Sequence, residues 1–263
     1  SWIDKIASGV KNRKKGVPVR FVYDEAIPKD LLKFILKSTG LEDDESIIPG
    51  GRYHNFRDFI GFPNIGAKNL RYRKLPPLPH PRLRNKKSIL SAIREEDIML
   101  NYPYQSFNYI IDLLREAAID PNVKSIKINL YRVASKSRVI NALINAVKNG
   151  KSVTVVVELQ ARFDEENNIH WANHLQDEGV NVVFGVPGLK VHSKLILIKR
   201  IHQGQVELFA HIGTGNFHEG TAHIYGDTSL LTRDPRITKE DMKLINLYIQ
   251  GFQKVCKYFY KKP

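Results

Sequence analysis

A histidine and a lysine with one residue between them form the most reactive combination in this sequence. His192 and Lys194 belong to the segment 191–198, whose last residues are all apolar and predict a β-strand. Because successive side chains of a strand point to opposite faces, His192 and Lys194 are expected on the same face. An imidazole can act as a nucleophile, and an ammonium group can hold a phosphate by its charge. The pair therefore indicates phosphoryl chemistry.

A small, polar turn follows the next apolar segment. Gly213, Thr214, Gly215 and Asn216 come directly after the mostly apolar segment 206–212. Glycines allow backbone N–H groups to approach a phosphate closely, and Asn216 adds a side-chain amide. This turn is the second candidate phosphate-binding element.

Two arginines share a regular spacing with the histidine. Arg132, Arg162 and His192 are each separated by thirty residues. A guanidinium group stays charged at any working pH and pairs bidentately with phosphate oxygens. Either arginine alone is more typical of a helix cap or a surface ion pair, but the shared spacing favours a common site.

The elements that would position these residues alternate between strands and helices. The pattern predicts strands over 125–130, 152–159, 180–184, 191–198 and 206–212, and helices over 106–117, 137–147, 164–176 and from 237 onward. This order predicts an α/β fold with parallel strands, later antiparallel strands and helices on the faces of a mixed sheet. The carboxyl ends of parallel strands share one edge, to which a turn at Pro187 and Gly188 would return the chain at His192.

Composition limits the class of protein and its partners. The chain of 263 residues is 42% hydrophobic and 26% charged, as expected of a globular protein. Its net charge of +14 favours a polyanionic partner such as nucleic acid, an anionic membrane surface, a nucleotide or a phosphate polymer. A single cysteine, Cys256, excludes an intramolecular disulfide and is interpreted as a core residue. No apolar run reaches the roughly 18 residues of a membrane-spanning helix.

A proline-rich segment divides the chain. Residues 74–84 contain four prolines, which are incompatible with a helix or a central strand. We therefore expect residues 1–79 to be the C-terminal part of an upstream α+β domain, with a strand over 17–23 and a helix ending at Gly40. Residues 80–263 are expected to form a second domain.

Other residues carry weaker indications. His170 and His174 have the spacing of a helix surface, without a third metal ligand. The acidic residues 164–166 are interpreted as a helix N-terminus, which favours negative charge. Tyr225 could stack on a nucleobase or belong to the core. The sequence leaves the roles of the other histidines of this region open: His211, His218 and His223.

Long blocks of the chain resemble one known family. YRVASKSRVINAL, VTVVVELQARFDEENNIHWA, PGLKVHSKLILI and IGTGNFHEGTAHIYGDTSLLT look like consecutive blocks of bacterial polyphosphate kinase of the first type, a member of the phospholipase D-like superfamily. GRYHNFRDFIGFPN is similar to a block just upstream in the same family. The resemblance covers nearly the whole chain.

The resemblance implies an activity and a role for several residues. Such enzymes reversibly transfer the terminal phosphate of ATP to inorganic polyphosphate, using Mg²⁺ and a phosphohistidine intermediate. His192 matches the phosphorylated histidine, and Lys194 would stabilise the phosphate beside it. Arg132 and Arg162 match arginines of the family's magnesium site, which we interpret as ligands of the phosphates that also hold the metal. Tyr225 matches a nucleotide-contacting tyrosine.

The resemblance also implies an organisation. The chain matches the end of the middle domain and the first of two phospholipase D-like catalytic domains, so we expect a segment with little kinase activity alone. The expected partners are ATP or ADP and polyphosphate, without nucleic acid or a membrane span. The full-length enzyme is expected to be a homo-oligomer in the cytoplasm or peripheral to the membrane.

Two alternative functions stay open. One is a phospholipase D-like phosphodiesterase or nuclease, although the wider pattern of that superfamily has an aspartate five residues after the lysine, where this chain has Lys199. The other is a basic, non-catalytic module for polyanions, which explains the charge but not the thirty-residue spacing.

Overall fold

A computed structural model describes most of the chain, namely residues 2–13, 15–16, 18–41, 46–70, 72–73, 75–185 and 190–260. It divides into a small unit, Ser8–Leu75, and a large unit that comprises Ser1–Ala7 and Pro76–Pro263. The domain boundary expected after residue 79 stays a prediction. Within the described ranges, none of the helices combines the length and the apolar character that a membrane-spanning segment requires.

The described residues of the small unit form a βαβ arrangement. Strand β1 (Phe21–Asp24) pairs in parallel with β2 (Ile47–Gly50), and helix α2 (Lys29–Thr39) lies between them in the chain. Gly40 ends this helix with a φ of 69°, and its N–H group donates to carbonyl oxygens of the last turn. The helix with a glycine stop is confirmed, whereas the predicted strand over 17–23 begins later, at Phe21. Helix α1 (Trp2–Arg13) precedes these elements.

A mixed seven-stranded sheet organises the large unit. Its strands are β3 (Ile98–Tyr102), β4 (Val123–Leu130), β5 (Ser152–Val157), β6 (Asn181–Phe184), β7 (Lys194–His202), β8 (Gln205–Gly213) and β9 (Asp227–Thr232). Their spatial order is β3-β9-β8-β7-β4-β5-β6. Its helices are α3 (Ile89–Glu95), α4 (Asn108–Ile119), α5 (Arg138–Lys148), α6 (Glu165–Asp177) and α7 (Pro235–Tyr260).

The directions of the strands bring one set of loops together. Strands β4, β5 and β6 are mutually parallel, and β7 is antiparallel to both β4 and β8. Strand β9 is antiparallel to β8 and to β3. The carboxyl ends of β4, β5, β6 and β8 therefore lie at the same edge as the first residues of β7 and β9. The predicted mixed α/β sheet with antiparallel later strands is confirmed.

The alternation of side chains in the buried strands explains why helices cover both faces. In β5, Val155 belongs to the main core beneath α4 and α5, whereas Val156 packs with Val183 and Val191 on the opposite face. On that opposite face, Leu197 and Ile245 of α7 form a further apolar cluster. Each aliphatic side chain that is fully buried in this way stabilises the fold by about 1.5–3 kcal/mol.

Several element boundaries differ from those predicted. Strand β7 begins at Lys194 rather than at residue 191, and the short elements β3, α3 and β9 were not predicted. The β7–β8 turn consists of Gln203 and Gly204, both with positive φ, which suits the twist of a two-residue hairpin. The predicted turn at Pro187 and Gly188 lies outside the described residues, as does the side chain of Cys256.

Candidate functional site

Four chain segments converge at the edge where β4, β5 and β8 end and β7 begins. Arg132 lies two residues after β4, and Arg162 lies in the loop after β5. His192 comes two residues before β7, and the turn 213–216 begins at the last residue of β8. The fold thus brings to one edge the residues that the sequence grouped by spacing.

His192 and Lys194 are in direct contact. The Lys194 Nζ lies 3.1 Å from the His192 Nδ1 and also donates to the His192 carbonyl oxygen. The Lys194 residue is only 4% exposed, whereas His192 is exposed to solvent. The Tyr131 ring meets the His192 ring edge to face at a centroid distance of 4.7 Å, and its centroid lies 5.3 Å from the Lys194 Nζ. Tyr131 thus contacts both candidate catalytic side chains, a role that the sequence did not indicate.

The electrostatic surroundings favour a neutral imidazole. Although His192 is exposed, partial desolvation of its ring lowers its pKa, and the nearby positive charges of Lys194, Arg132 and Lys190 lower the pKa further. Burial also lowers the pKa of Lys194, an effect that Asp227 opposes and Arg132 strengthens. A neutral ring keeps a lone pair on one nitrogen, which a nucleophile requires.

Arg132 joins the loops that follow β4 and β5. Its Nε lies 2.8 Å from the Asp164 Oδ2, and its Nη2 donates to the Arg162 carbonyl oxygen at 3.1 Å. The Arg162 guanidinium lies over the ring of Phe163, 4.7 Å from its centroid. Among the described contacts, none joins that guanidinium to His192. Asp164 immediately precedes α6, but its carboxylate faces Arg132 and makes no hydrogen bond that caps the helix.

Hydrogen bonds from helix α6 hold the loops that follow β4 and β5. The buried Asn168 donates through Nδ2 to the carbonyl oxygens of Tyr131 and Glu158, each at 2.8 Å. Asn167 donates to the Val133 carbonyl oxygen at 3.0 Å. The sequence did not indicate a role for these asparagines. The available indication was their position in the first turn of a helix that begins shortly after Arg162.

The glycines of the 213–216 turn have a steric explanation within the chain itself. A Cβ atom on Gly215 would lie 2.5 Å from the Asp227 Oδ2, and one on Gly213 would lie 2.8 Å from the His211 Cε1. Thr214 donates through Oγ1 to the Asp227 Oδ1 at 2.8 Å, which closes the turn. A phosphate contact by Gly213 and Gly215 stays a prediction.

The remaining candidates differ in their surroundings. The Asn216 Oδ1 is buried without a hydrogen-bond partner among the described residues. Tyr225 is 61% exposed, so it is not a core residue, and its contact with a nucleotide stays a prediction. His211 is buried, with its Nε2 2.8 Å from the Ser229 Oγ. The His218 Nδ1 accepts backbone N–H groups of its own loop, so both histidines have structural roles here.

The donor groups of the site suit phosphate rather than a metal held by the protein. The described part of the chain contains no group of three or more His, Cys, Asp or Glu side chains that could hold a metal ion. Arginine has no acceptor atom and cannot ligate Mg²⁺ directly. Arg132 and Arg162 are suited instead to phosphate oxygens.

The comparisons with known proteins identify the family. The family model "Polyphosphate kinase C-terminal domain 1" matches residues 88–254, and "Polyphosphate kinase middle domain" matches residues 1–62. The chain belongs to the polyphosphate kinase family, which confirms the family predicted from the sequence blocks.

Individual relatives are considerably longer than this chain. It is 50% identical to the polyphosphate kinase of Yersinia pestis over 97% of this chain and 37% of the relative. The coverage is the same for the polyphosphate kinase of Escherichia coli, also 50% identical. The crystal structure of polyphosphate kinase from Porphyromonas gingivalis aligns with a TM-score of 0.74 and 37% identity, over 88% of this chain and 35% of that one. The chain therefore spans little more than a third of the length of these relatives.

Proposed function

We propose that this chain carries the catalytic histidine of an ATP:polyphosphate phosphotransferase and that His192 is the residue phosphorylated. The observation that carries the proposal is the contact between His192 and the buried Lys194, at the edge of the sheet where two arginine loops and a glycine turn also end. Membership of the polyphosphate kinase family supports the same activity.

The proposed reaction has two balanced steps. A ring nitrogen of His192 attacks the terminal phosphorus of ATP, and the P–O bond to the β-phosphate breaks with its electron pair passing to ADP. A terminal oxygen of polyphosphate then attacks the same phosphorus, and the electron pair of the N–P bond returns to the imidazole. The overall transfer is reversible because one phosphoanhydride bond, that of ATP, is broken and another, that of polyphosphate, is formed.

Each neighbouring residue has a proposed part in these steps. Lys194 neutralises charge on the transferred phosphoryl group, and Arg132 and Arg162 bind the remaining phosphate oxygens. Tyr225, exposed on the loop that follows β8, contacts the nucleotide. The turn 213–216, with its glycines and Asn216, lies close to the phosphates.

The proposed Mg²⁺ binds to the substrate phosphates rather than to protein side chains. The arginines bind phosphates, and the phosphates supply the oxygen ligands that Mg²⁺ prefers. When bound, the ion neutralises phosphate charge. We also propose a domain division at residues 79 and 80, a homo-oligomeric full-length enzyme, and a location in the cytoplasm or at the periphery of the membrane.

The test is the fate of labelled phosphate on the full-length protein. After incubation with ATP labelled at its terminal phosphate, we expect a stoichiometric label on the protein that is labile in acid and stable in base. The variant His192→Ala should lose it. The variant His170→Ala, which alters an exposed histidine of α6, should keep it. A label that survives His192→Ala would refute the assignment.

The two alternative functions give different results in the same preparation. A phosphodiesterase would hydrolyse a model phosphodiester without ATP. A basic polyanion module would bind nucleic acid in a salt-dependent manner without forming a histidine label. Competition between polyphosphate and nucleic acid would distinguish that module from the kinase.

A further inference from the structure

A buried carboxylate contacts the segment that leads into His192. Glu158, the first residue after β5, is only 4% exposed. Its Oε1 accepts the Gln160 N–H group at 2.8 Å, and its Oε2 accepts the Val191 N–H group at 2.9 Å. Val191 is the residue directly before His192. The side chain of Glu158 therefore joins the segment that leads to Arg162 with the segment that presents His192.

The main chain of Glu158 is fixed as well. Its N–H group donates to the Leu130 carbonyl oxygen at 3.0 Å, and its carbonyl oxygen accepts from Asn168 at 2.8 Å. A displacement of the Glu158 main chain would break its hydrogen bond to Leu130 at the sheet edge or its hydrogen bond to Asn168 of α6. The Oε2 thus defines where the Val191 N–H group lies.

We propose that Glu158 is a positioning residue that holds the His192 backbone for phosphoryl transfer, an inference that rests on the proposed function. A buried carboxylate is costly unless it is hydrogen-bonded, and among the described residues the partners of Glu158 are two backbone N–H groups. Because the Gln160 and Val191 N–H groups each donate to a different oxygen of Glu158, both of these oxygens must be hydrogen-bond acceptors. A carboxylate provides this, whereas an amide would place its NH₂ group against one of them.

The packing around the carboxylate leaves little room for adjustment. A Cβ atom on Gly185 would lie 3.3 Å from the Val191 Cγ2 and 3.4 Å from the Glu158 Oε2. Val191 itself is buried. A displaced Val191 N–H group would therefore move His192 rather than relax locally. Misplacement of a reacting group by about 1 Å can reduce a rate by roughly 100-fold.

The test is Glu158→Gln in the full-length protein, which keeps the size of the side chain and removes one acceptor. We expect kcat and the single-turnover rate of His192 labelling to fall by about 10- to 100-fold. The KM for ATP should change less than about threefold, because the side chains assigned to phosphate binding are untouched. Glu178→Gln is the matched control, since this glutamate pairs with Lys148 on the surface and should leave all three quantities unchanged.

The outcomes separate positioning from simple structural support. Wild-type kcat in Glu158→Gln, or a loss of rate that is matched by an equal loss of folded protein, would overturn the inference. If Glu158→Gln does not fold, Glu158→Asp replaces it, because the shorter carboxylate keeps both oxygens but draws them back. It should lower the labelling rate several-fold, and an unchanged rate would overturn the inference.

The inference and the proposed function can fail separately. Loss of the label in His192→Ala together with full activity in Glu158→Gln would reject only the role of Glu158. A label that survives His192→Ala would reject the proposed function itself.

Discussion

Replacement of Gly215 by alanine tests the packing of the turn at the site. The added Cβ would lie 2.5 Å from Oδ2, 2.6 Å from Cγ and 2.9 Å from Cβ of Asp227. Ordinary contacts between non-bonded carbon atoms are about 3.5–4.0 Å, so the two residues must separate by roughly 1 Å. Rotation of the carboxylate cannot relieve the contact with the Asp227 Cβ, which is held by the start of β9.

The expected cost follows from this geometry. Overpacking of this kind costs about 1–3 kcal/mol, and the separation also weakens the hydrogen bond from Thr214 to Asp227. The alanine recovers about 0.4–1 kcal/mol by restricting the unfolded chain. The free energy of unfolding should therefore fall by about 1–2 kcal/mol, and the Tm by roughly 2–8 °C.

The assay is denaturant unfolding of Gly215→Ala beside Gly226→Ala. Gly226 lies next to Asp227, but a Cβ there would meet no atom within 4 Å, so this control should be nearly neutral. In an Asp227→Ala background, most of the clash is absent, and the cost of Gly215→Ala should shrink by about 1 kcal/mol. Equal stability of the two glycine variants, or an equal cost in both backgrounds, would refute the steric account.

Three further predictions concern other contacts of the site. Burial lowers the pKa of His211 to about 4. Between pH 6.5 and 4 the unfolded state therefore binds a proton that the folded state does not, so the free energy of unfolding decreases as the pH falls. Unfolding measured at pH 7 and at pH 4.5 should show a smaller decrease for His211→Asn than for the unsubstituted protein. Tyr131→Leu removes the ring that packs against His192 and should slow the labelling of His192 by roughly 2- to 10-fold. Tyr131→Phe keeps the ring and should leave the labelling rate unchanged. Equal labelling rates for the two variants would contradict this prediction. Arg132→Lys should raise the KM for ATP, because an ammonium lacks the planar fork of donors; an unchanged KM would argue against phosphate binding by Arg132.

The parts of the fold that the sequence predicted correctly are those with a strong local pattern. The run that forms β5 is β-branched almost throughout, because it is buried on both faces of the sheet. Helix α5 begins after Ser137, whose Oγ accepts the Ile140 N–H group, as its position before an apolar period indicates. The convergence of the Arg132 and Arg162 loops follows from the parallel pairing of β4 and β5, whereas His192 and the 213–216 turn reach the same edge because β7 and β8 are antiparallel.

The parts that it did not predict depend on contacts between distant segments. Strands β3 and β9 are short, and polar residues interrupt them, so they resemble loops in sequence. Strand β7 begins only at Lys194, and the Val191 N–H group just before it is bound by a carboxylate rather than by a neighbouring strand. The ion pair of Arg132 with Asp164 likewise forms because the loops after β4 and β5 meet in space, and no local sequence pattern predicts such a contact.

The central position of β7 has a consequence for how the site forms. This strand pairs with β4, where Ile126 lies opposite Ile198, and with the hairpin partner β8 on its other side. The loops that bear Arg132 and His192 therefore become neighbours only after chain regions about 70 residues apart in sequence have joined. Partial opening of the sheet between β4 and β7 would abolish the site as a whole. Polyphosphate bound at this edge should therefore slow amide hydrogen exchange across β4, β7 and β8 together, and not only in the loops that contact it.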